Sequence, residues 1–333
     1  MRNKYVFTAV LLLAVALGAA LFTGVYAKSQ EEDENKVTVV TSFYPIYIAA
    51  INVVGDCSGL EVINLSEPQT GCLHDFQLTP EDMRLLSGAE LFLVNGGGME
   101  SFLEDTAKQY PLLKIAETAA GLELSSDGHG EIHAGEDLAH TGDQGEEQTE
   151  EMSIHSGDHG EAEGNAHVWM SVGTYRRQVA AIAEQLCAIA GEYTEELKAN
   201  ASAYDQKLAE LEEQQAAIRE AAAGSRIISF HEAYEYIAED YGLSIGYEVD
   251  LDEERQVSAG EVADVLKSIK EDGISIIFAE ELYGSGLAET VSKEADVTVC
   301  YLDTLVRGDY KPDSYLDGMQ ANINILQDTF GVE

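Results

Sequence analysis

What most constrains this chain is a repeated alternation. Short runs rich in β-branched residues give way to amphipathic runs, twice over, and between the two rounds lies one stretch that can build no core. Such alternation predicts βαβ units with parallel sheets, because two parallel strands need a crossover long enough to hold a helix. In the first round, strands are expected at residues 36–42, 60–65, 91–95 and 112–116, and helices at 45–54, 80–88 and 99–109. Thr79 before Pro80, with Asp82 three residues on, reads as a cap, a first-turn proline and an acidic first turn. In the second round, strands are expected at 226–230, 244–248, 275–279 and 298–302, with helices at 232–241, 287–294 and 314–330. A further helix ending at 271 opens on a capping box of Ser258 and Glu261.

Residues 172–223 carry Ala, Glu, Leu and Gln at helical spacing, interrupted at Gly191 and stopped at Gly224, which predicts one or two long helices. The expected fold is therefore α/β: two similar Rossmann-like lobes with parallel sheets, joined by a long helix. A chain of 333 residues is long enough for both lobes to bury a core. The divisions are a first lobe at 36–171, a linking helix region at 172–224 and a second lobe at 225–333. Residues 124–164 collapse into Gly, Asp, Glu, Ser and His without Lys or Arg, a composition expected to form a disordered loop. Residues 1–27 begin with Arg2 and Lys4, run apolar over 6–25 and end Val-Tyr-Ala, as a signal peptide does. Export to the periplasm or the outer face of the cytoplasmic membrane is expected. The alternative is an uncleaved anchor, since the apolar run approaches the roughly 20 residues that cross a bilayer.

With 61 acidic against 19 basic residues, the formal net charge of −42 disfavours nucleic acid or an anionic membrane as partner and favours cations. Four cysteines in an exported chain permit disulfides. Cys57 and Cys72 could close a short loop beside His74, whereas Cys187 and Cys300 read as small apolar packing residues.

The eight histidines fall into two groups. His129, His133, His140, His155 and His159 crowd the acidic stretch, where Gly128, Gly130, Gly157 and Gly160 argue against helices and for weak metal sites that gather ions. His74, His167 and His231 stand far apart, each near the end of an expected strand or element. Ligands of open α/β sheets bind beyond the carboxyl ends of the strands, so these histidines and Asp303, directly after a strand, are candidate ligands in an interlobe cleft. Three imidazoles and a carboxylate suit four-coordinate zinc. Glu280 and Glu281 compete with Asp303 as fourth ligand, while Glu232 reads as a solvated first-turn residue. Three histidines around an open position would also suit a zinc hydrolase, although no His-Glu-x-x-His helix is present.

Several motifs taken in order carry a resemblance: Thr41-Ser-Phe-Tyr-Pro45, Leu73-His-Asp-Phe76 with Thr79-Pro80, Val94-Asn-Gly-Gly-Gly-Met-Glu100, His167-Val-Trp-Met170, Phe230-His-Glu-Ala-Tyr234 and Leu302-Asp303. In these the chain resembles the metal-binding receptors of bacterial zinc and manganese ABC importers, most closely the zinc-uptake type called ZnuA. The resemblance implies two α/β lobes bridged by a long helix, and a divalent ion bound between them and delivered to an ABC importer permease. It implies His74, His167, His231 and Asp303 as ligands, no enzymatic activity, and a monomer. Two departures stand out. Leu73 supplies no carboxylate where relatives often have Glu, and Asn165-Ala166 stands where Asp-Pro is common. Manganese-selective relatives typically carry a carboxylate at the position of His231, so three imidazoles favour Zn2+ as the transported ligand, with manganese or another divalent ion, or a metal-binding surface adhesin, as the alternative.

Overall fold

The structure, a computed structural model, describes residues 36–67, 73–74, 76–125, 164–251 and 257–332. Its first sheet holds β1 (Val37–Thr41), β2 (Leu60–Asn64), β3 (Leu91–Val94) and β4 (Lys114–Glu117), all parallel, in the order β2-β1-β3-β4. Around it lie α1 (Tyr44–Val54), α2 (Pro80–Ser87) and α3 (Leu103–Gln109). The second sheet repeats the plan, with β5 (Arg226–Ser229), β6 (Ser244–Glu248), β7 (Ile276–Ala279) and β8 (Thr298–Tyr301) in the order β6-β5-β7-β8. Its helices are α6 (Tyr234–Tyr241), α7 (Ala259–Asp272), α8 (Glu281–Glu294) and α9 (Ser314–Phe330). Central β3, Leu-Phe-Leu-Val, is buried along its whole length, as a parallel strand covered on both faces must be.

Between the lobes run α4 (Val172–Ile189) and α5 (Thr194–Ala222), separated by a 3-10 turn at Gly191–Tyr193. At 1.5 Å per residue the 29 residues of α5 extend about 43 Å, enough to lie along both lobes. It packs on α1 of the first lobe and on α6 and α9 of the second. The two lobes are not separate cores. One apolar cluster runs from Phe43 and Ile46 through Trp169 and Tyr175 to Tyr234, Tyr241 and Tyr315. Three side-chain donors tie this seam together: Trp169 Nε1 donates to Thr304 C=O at 2.9 Å, Tyr234 Oη to Leu302 C=O at 2.7 Å, and Tyr315 Oη to Trp169 C=O at 2.8 Å.

The expected cap at Thr79 forms, as a full capping box with Asp82, and so does the expected capping box of Ser258 with Glu261. Two boundaries move for physical reasons. Helix α3 starts at Leu103 rather than 99 because Gly96, Gly97 and Gly98 all take positive φ, and the Glu100 carboxylate turns back to accept from Asn95 N at 2.7 Å and Gly96 N at 2.9 Å. Helix α8 starts at Glu281, six residues before the expected 287, across Gly284 and Gly286. Gly284 belongs there because a Cβ would stand 3.0 Å from the Cβ of Ala279 on β7, so the glycine lets helix and strand approach.

Cys57 is a buried free thiol whose pKa is pushed up to about 11, by burial first and then by nearby Glu196. The expected bridge to Cys72 is thus corrected. The sulfur of Cys57 serves the first-lobe core, and Cys72 lies outside the described residues. Cys187 and Cys300 are free and pack as expected, with Cys300 Sγ 3.2 Å from Thr329 Oγ1. The signal or anchor segment and His129, His133, His140, His155 and His159 also lie outside the described residues. Among the described residues, no helix is long and apolar enough to cross a membrane.

Candidate metal site

In each sheet the chain turns one way from its central strand to β2 or β6 and the other way to β3 or β7, which opens a crevice at the strands' carboxyl ends. The segments leaving those ends carry the site. His231 follows β5 after Phe230, and its backbone is pinned by Ser229, whose Oγ donates to His231 C=O at 2.6 Å. His167 precedes the 3-10 turn Val168–Met170. Asn95, at the end of β3, steadies that segment by donating from Nδ2 to Ala166 C=O at 2.9 Å. His74 comes from the loop after β2.

The structure brings the three histidines together. The ring centroid of His167 is 5.4 Å from that of His74 and 5.0 Å from that of His231. A carboxylate joins them, and it is the one discounted in the sequence. Glu232 Oε1 lies 3.5 Å from His74 Nε2 and 3.3 Å from His167 Nδ1. One donor atom each from His74, His167 and Glu232 falls within a span of 4.8 Å. Donor atoms about 2.1 Å from a tetrahedral zinc ion sit roughly 3.4 Å apart, so modest side-chain rotation closes this cluster on an ion. His74 Nε2 is shielded from solvent and has no hydrogen-bond partner among the described residues, an arrangement that a bound cation would complete.

Glu232 escaped the sequence reading because the helix was expected to start there. It starts at Tyr234, and residues 231–233 form a turn in which Tyr234 N donates to His231 C=O and Glu235 N to Glu232 C=O. That turn directs both His231 and Glu232 into the cleft. The adjacent pair His231-Glu232 was the available signal.

The other candidate carboxylates are not part of that cluster. Asp303 Oδ1 accepts from Leu305 N at 2.8 Å, and Asn322 brackets the Asp303 backbone by accepting from its N and donating to its C=O, both at 2.8 Å. This is an aspartate shaping a turn, in which Leu305 adopts a positive φ of 57°. Burial raises the Asp303 pKa against the opposing pull of Leu305 N and Arg307. Glu280 forms an ion pair with Arg307 at 2.6 Å, and that guanidinium lies 5.3 Å from the Tyr283 ring centroid. Glu281 is exposed in the first turn of α8.

Burial sets the protonation of the inner histidines. It drives the His167 pKa well below the usual imidazole value, with His231 and His74 adding to the effect, and holds His231 down at about 3 with help from His74 and Arg307. Free imidazoles would lose affinity for a cation below their reference value of about 6.5. For His167 and His231 desolvation of the cation moves that limit lower, so both are neutral and able to ligate at neutral pH.

The ZnuA family, described as zinc-uptake complex component A, periplasmic, matches residues 39–329. A high-affinity zinc uptake system protein ZnuA of Bacillus subtilis is 27% identical over 336 aligned positions, covering 99% of this chain and 97% of its own. The zinc-binding protein AdcA of Streptococcus pyogenes serotype M3 is 28% identical over 275 positions, 82% of this chain and 51% of its own. The chain thus spans about half the length of the AdcA relatives it matches. Among solved structures, FpvC of Pseudomonas aeruginosa in complex with Ni2+ superposes with a TM-score of 0.69 at 22% identity, covering 88% of this chain and 98% of FpvC. Zn(II)-bound AdcA of Streptococcus pneumoniae gives 0.68 at 24% identity, covering 88% of this chain and 57% of AdcA. These likenesses establish the fold. The family match runs from inside β1 to the last turn of α9, over both lobes and the helices between them, and on that extent the chain belongs to the ZnuA family of metal-uptake components.

Proposed function

We propose that this chain is an extracytoplasmic receptor that captures Zn2+ between its lobes and delivers it to an ABC importer permease. The observation that carries the reading is the meeting of His74, His167 and Glu232 within one 4.8 Å span, with the His231 ring directly beside His167. The names of the relatives from Bacillus subtilis and Streptococcus pyogenes support zinc as the ion. In this reading His74, His167 and His231 ligate, Glu232 supplies the carboxylate, and Asp303, with Oδ1 engaged by Leu305 N, is the alternative carboxylate. The ZnuA family is a solute-binding component of transport, so the hydrolase reading does not hold.

Glu232 also favours a second reading, a receptor for manganese or another divalent ion, because a carboxylate oxygen suits manganese better than imidazole does. The solved FpvC structures contain Ni2+ in one case and Mn2+ in another. Titrating the metal-free full-length chain with Zn2+, Mn2+ and Ni2+ in competition with a chromophoric chelator separates the readings. Zinc should bind at least about 100-fold more tightly than manganese, and His74→Ala or His167→Ala should each abolish that tight site. Equal affinity for zinc and manganese overturns the zinc assignment, and wild-type zinc binding by both alanine variants overturns the site.

Delivery is tested in cells. A strain lacking this chain should fail to take up zinc when the metal is scarce, whereas normal uptake would leave a surface adhesin or zinc buffer as the role. Removing residues 126–163, which keeps Ser125 and Asn165 in place, should lower the number of zinc ions bound while sparing the tightest.

A further inference from the structure

Two residues before His167, the buried side chain of Asn165 is held from several directions. Its Nδ2 donates to Glu235 Oε2 and to Glu232 C=O, both at 2.8 Å. Its Oδ1 accepts from His167 N at 2.9 Å and lies 2.9 Å from His167 Nδ1. The backbone is fixed as well. Asn165 N donates to Ser125 C=O at 2.9 Å, and Tyr236 Oη both accepts from Ser125 N at 3.1 Å and donates to Asn165 C=O at 2.6 Å.

The partners settle which way the amide points. A carboxylate and a carbonyl can only accept, so turning the amide over would set oxygen against oxygen twice. Oδ1 therefore faces His167, and since that oxygen can only accept, the shared hydrogen belongs to Nδ1. A neutral imidazole with its hydrogen on Nδ1 carries its lone pair on Nε2. Glu232 Oε1 lies within reach of the same hydrogen, but farther off at 3.3 Å. When Glu232 turns to an ion, Asn165 keeps the hydrogen in place. His231 is held the opposite way: its Nδ1 accepts from Ala233 N at 3.1 Å, which puts the hydrogen of its neutral ring on Nε2.

We propose that Asn165 is the positioning residue for metal capture: its amide oxygen fixes His167 in the Nδ1–H form that offers Nε2 to a divalent cation, and Glu235 fixes the amide. The lone pair of His167 is thus on Nε2, whereas that of His231 is on Nδ1, where it accepts from Ala233 N. The inference rests on the metal-receptor reading above and deepens it.

The test uses the full-length chain and two variants. Long-range nitrogen–proton NMR of the metal-free protein reports the tautomer of His167, and chelator competition reports its affinity for Zn2+. Asn165→Leu should lose the fixed Nδ1–H signature and bind zinc about 10- to 100-fold more weakly, the usual loss when a histidine ligand's partner is removed. The exchange Asn165→Asp with Glu235→Gln reverses donor and acceptor between these two residues without changing net charge, while giving up the hydrogen bond to Glu232 C=O. It should recover the Nδ1–H signature and bring affinity back to within about tenfold of the parent. Asn165→Leu with parental tautomer and affinity overturns the proposal, and so does an exchange variant that recovers neither. If the Leu variant fails to fold, the exchange variant decides alone: recovery of both readouts supports the proposal, and loss of both overturns it. His167→Ala separates the two readings. Parental zinc affinity in that variant would remove the metal-receptor reading, while the tautomer measurement needs no metal and stands apart from it.

Discussion

At Glu232 a single carboxylate oxygen faces two imidazoles, 3.5 Å from His74 Nε2 and 3.3 Å from His167 Nδ1. Replacing it by Gln keeps shape and removes charge, so Glu232→Gln should weaken binding of a divalent ion by about 10- to 100-fold with the unfolding midpoint of the metal-free protein unchanged; unaltered affinity in the chelator titration would exclude Glu232 as a ligand. Asp240 shows how burial writes a pH dependence into one residue. Its carboxylate accepts from Ser171 Oγ at 3.1 Å, and burial pushes its pKa up to about 6, with Glu212 and Glu239 adding to the rise. A pKa raised on folding means that the native state binds a proton the unfolded chain does not. The stabilisation is present below the ordinary value of 3.8 and is lost as pH rises through about 6. Asp240→Asn removes that dependence, so from pH 4 to pH 7 the variant should gain up to about 3 kcal/mol relative to the parent in urea unfolding. A difference independent of pH would assign the linkage elsewhere.

At the scale of elements, most of the fold was legible because each strand and helix announces itself locally. The β-branched run at 37–41, the capping residues Thr79 and Ser258 and the glycine stop after α5 all act within a few residues of themselves. The exceptions are places where a distant partner decides. The sequence Tyr283-Gly-Ser-Gly286 reads as a break, yet it is helical because Gly284 lets α8 settle onto Ala279 and Phe230. Gly284→Leu should therefore destabilise the protein by about 1–3 kcal/mol in chemical unfolding despite the better helix propensity of leucine, since the added carbons have nowhere to go. An increase in stability would show that the close approach is not what the glycine serves. Glu232 belongs to the same class, because two residues of difference in where α6 begins decide whether its side chain faces solvent or the cleft.

Across the whole molecule, the lobes are bound by an aromatic seam held by the hydrogen bonds of Trp169, Tyr234 and Tyr315, and α5 lies along both. A receptor built this way loads its ion by moving side chains and loops more than by swinging lobes. X-ray scattering of the metal-free and metal-loaded protein should superimpose, and a large compaction on adding Zn2+ would contradict the rigid seam. Tyr315→Phe leaves the Trp169 carbonyl unpaired in the interior, which should lower stability by about 1–3 kcal/mol while both lobes still unfold in one transition. Two separate transitions would show that the lobes are independent.

By itself the amino-acid sequence determined the period and order of the elements, the division into two parallel-sheet lobes and, through its ordered motifs, the identity of the three separated histidines. Those properties depend on neighbours within a turn or a strand, or on short strings such as His167-Val-Trp-Met170 that are read directly. Only the tertiary structure decided which carboxylate lies beside His74 and His167. Asp303, Glu280 and Glu232 carry the same group, and what separates them is the neighbour each meets in space: the Leu305 backbone, Arg307, or the imidazoles of His74 and His167. The tautomers of His167 and His231 were likewise settled by Asn165 and Ala233. A hydrogen bond fixes a side chain only once its partner has arrived in space, and that arrival is a property of the folded chain rather than of any local stretch of it.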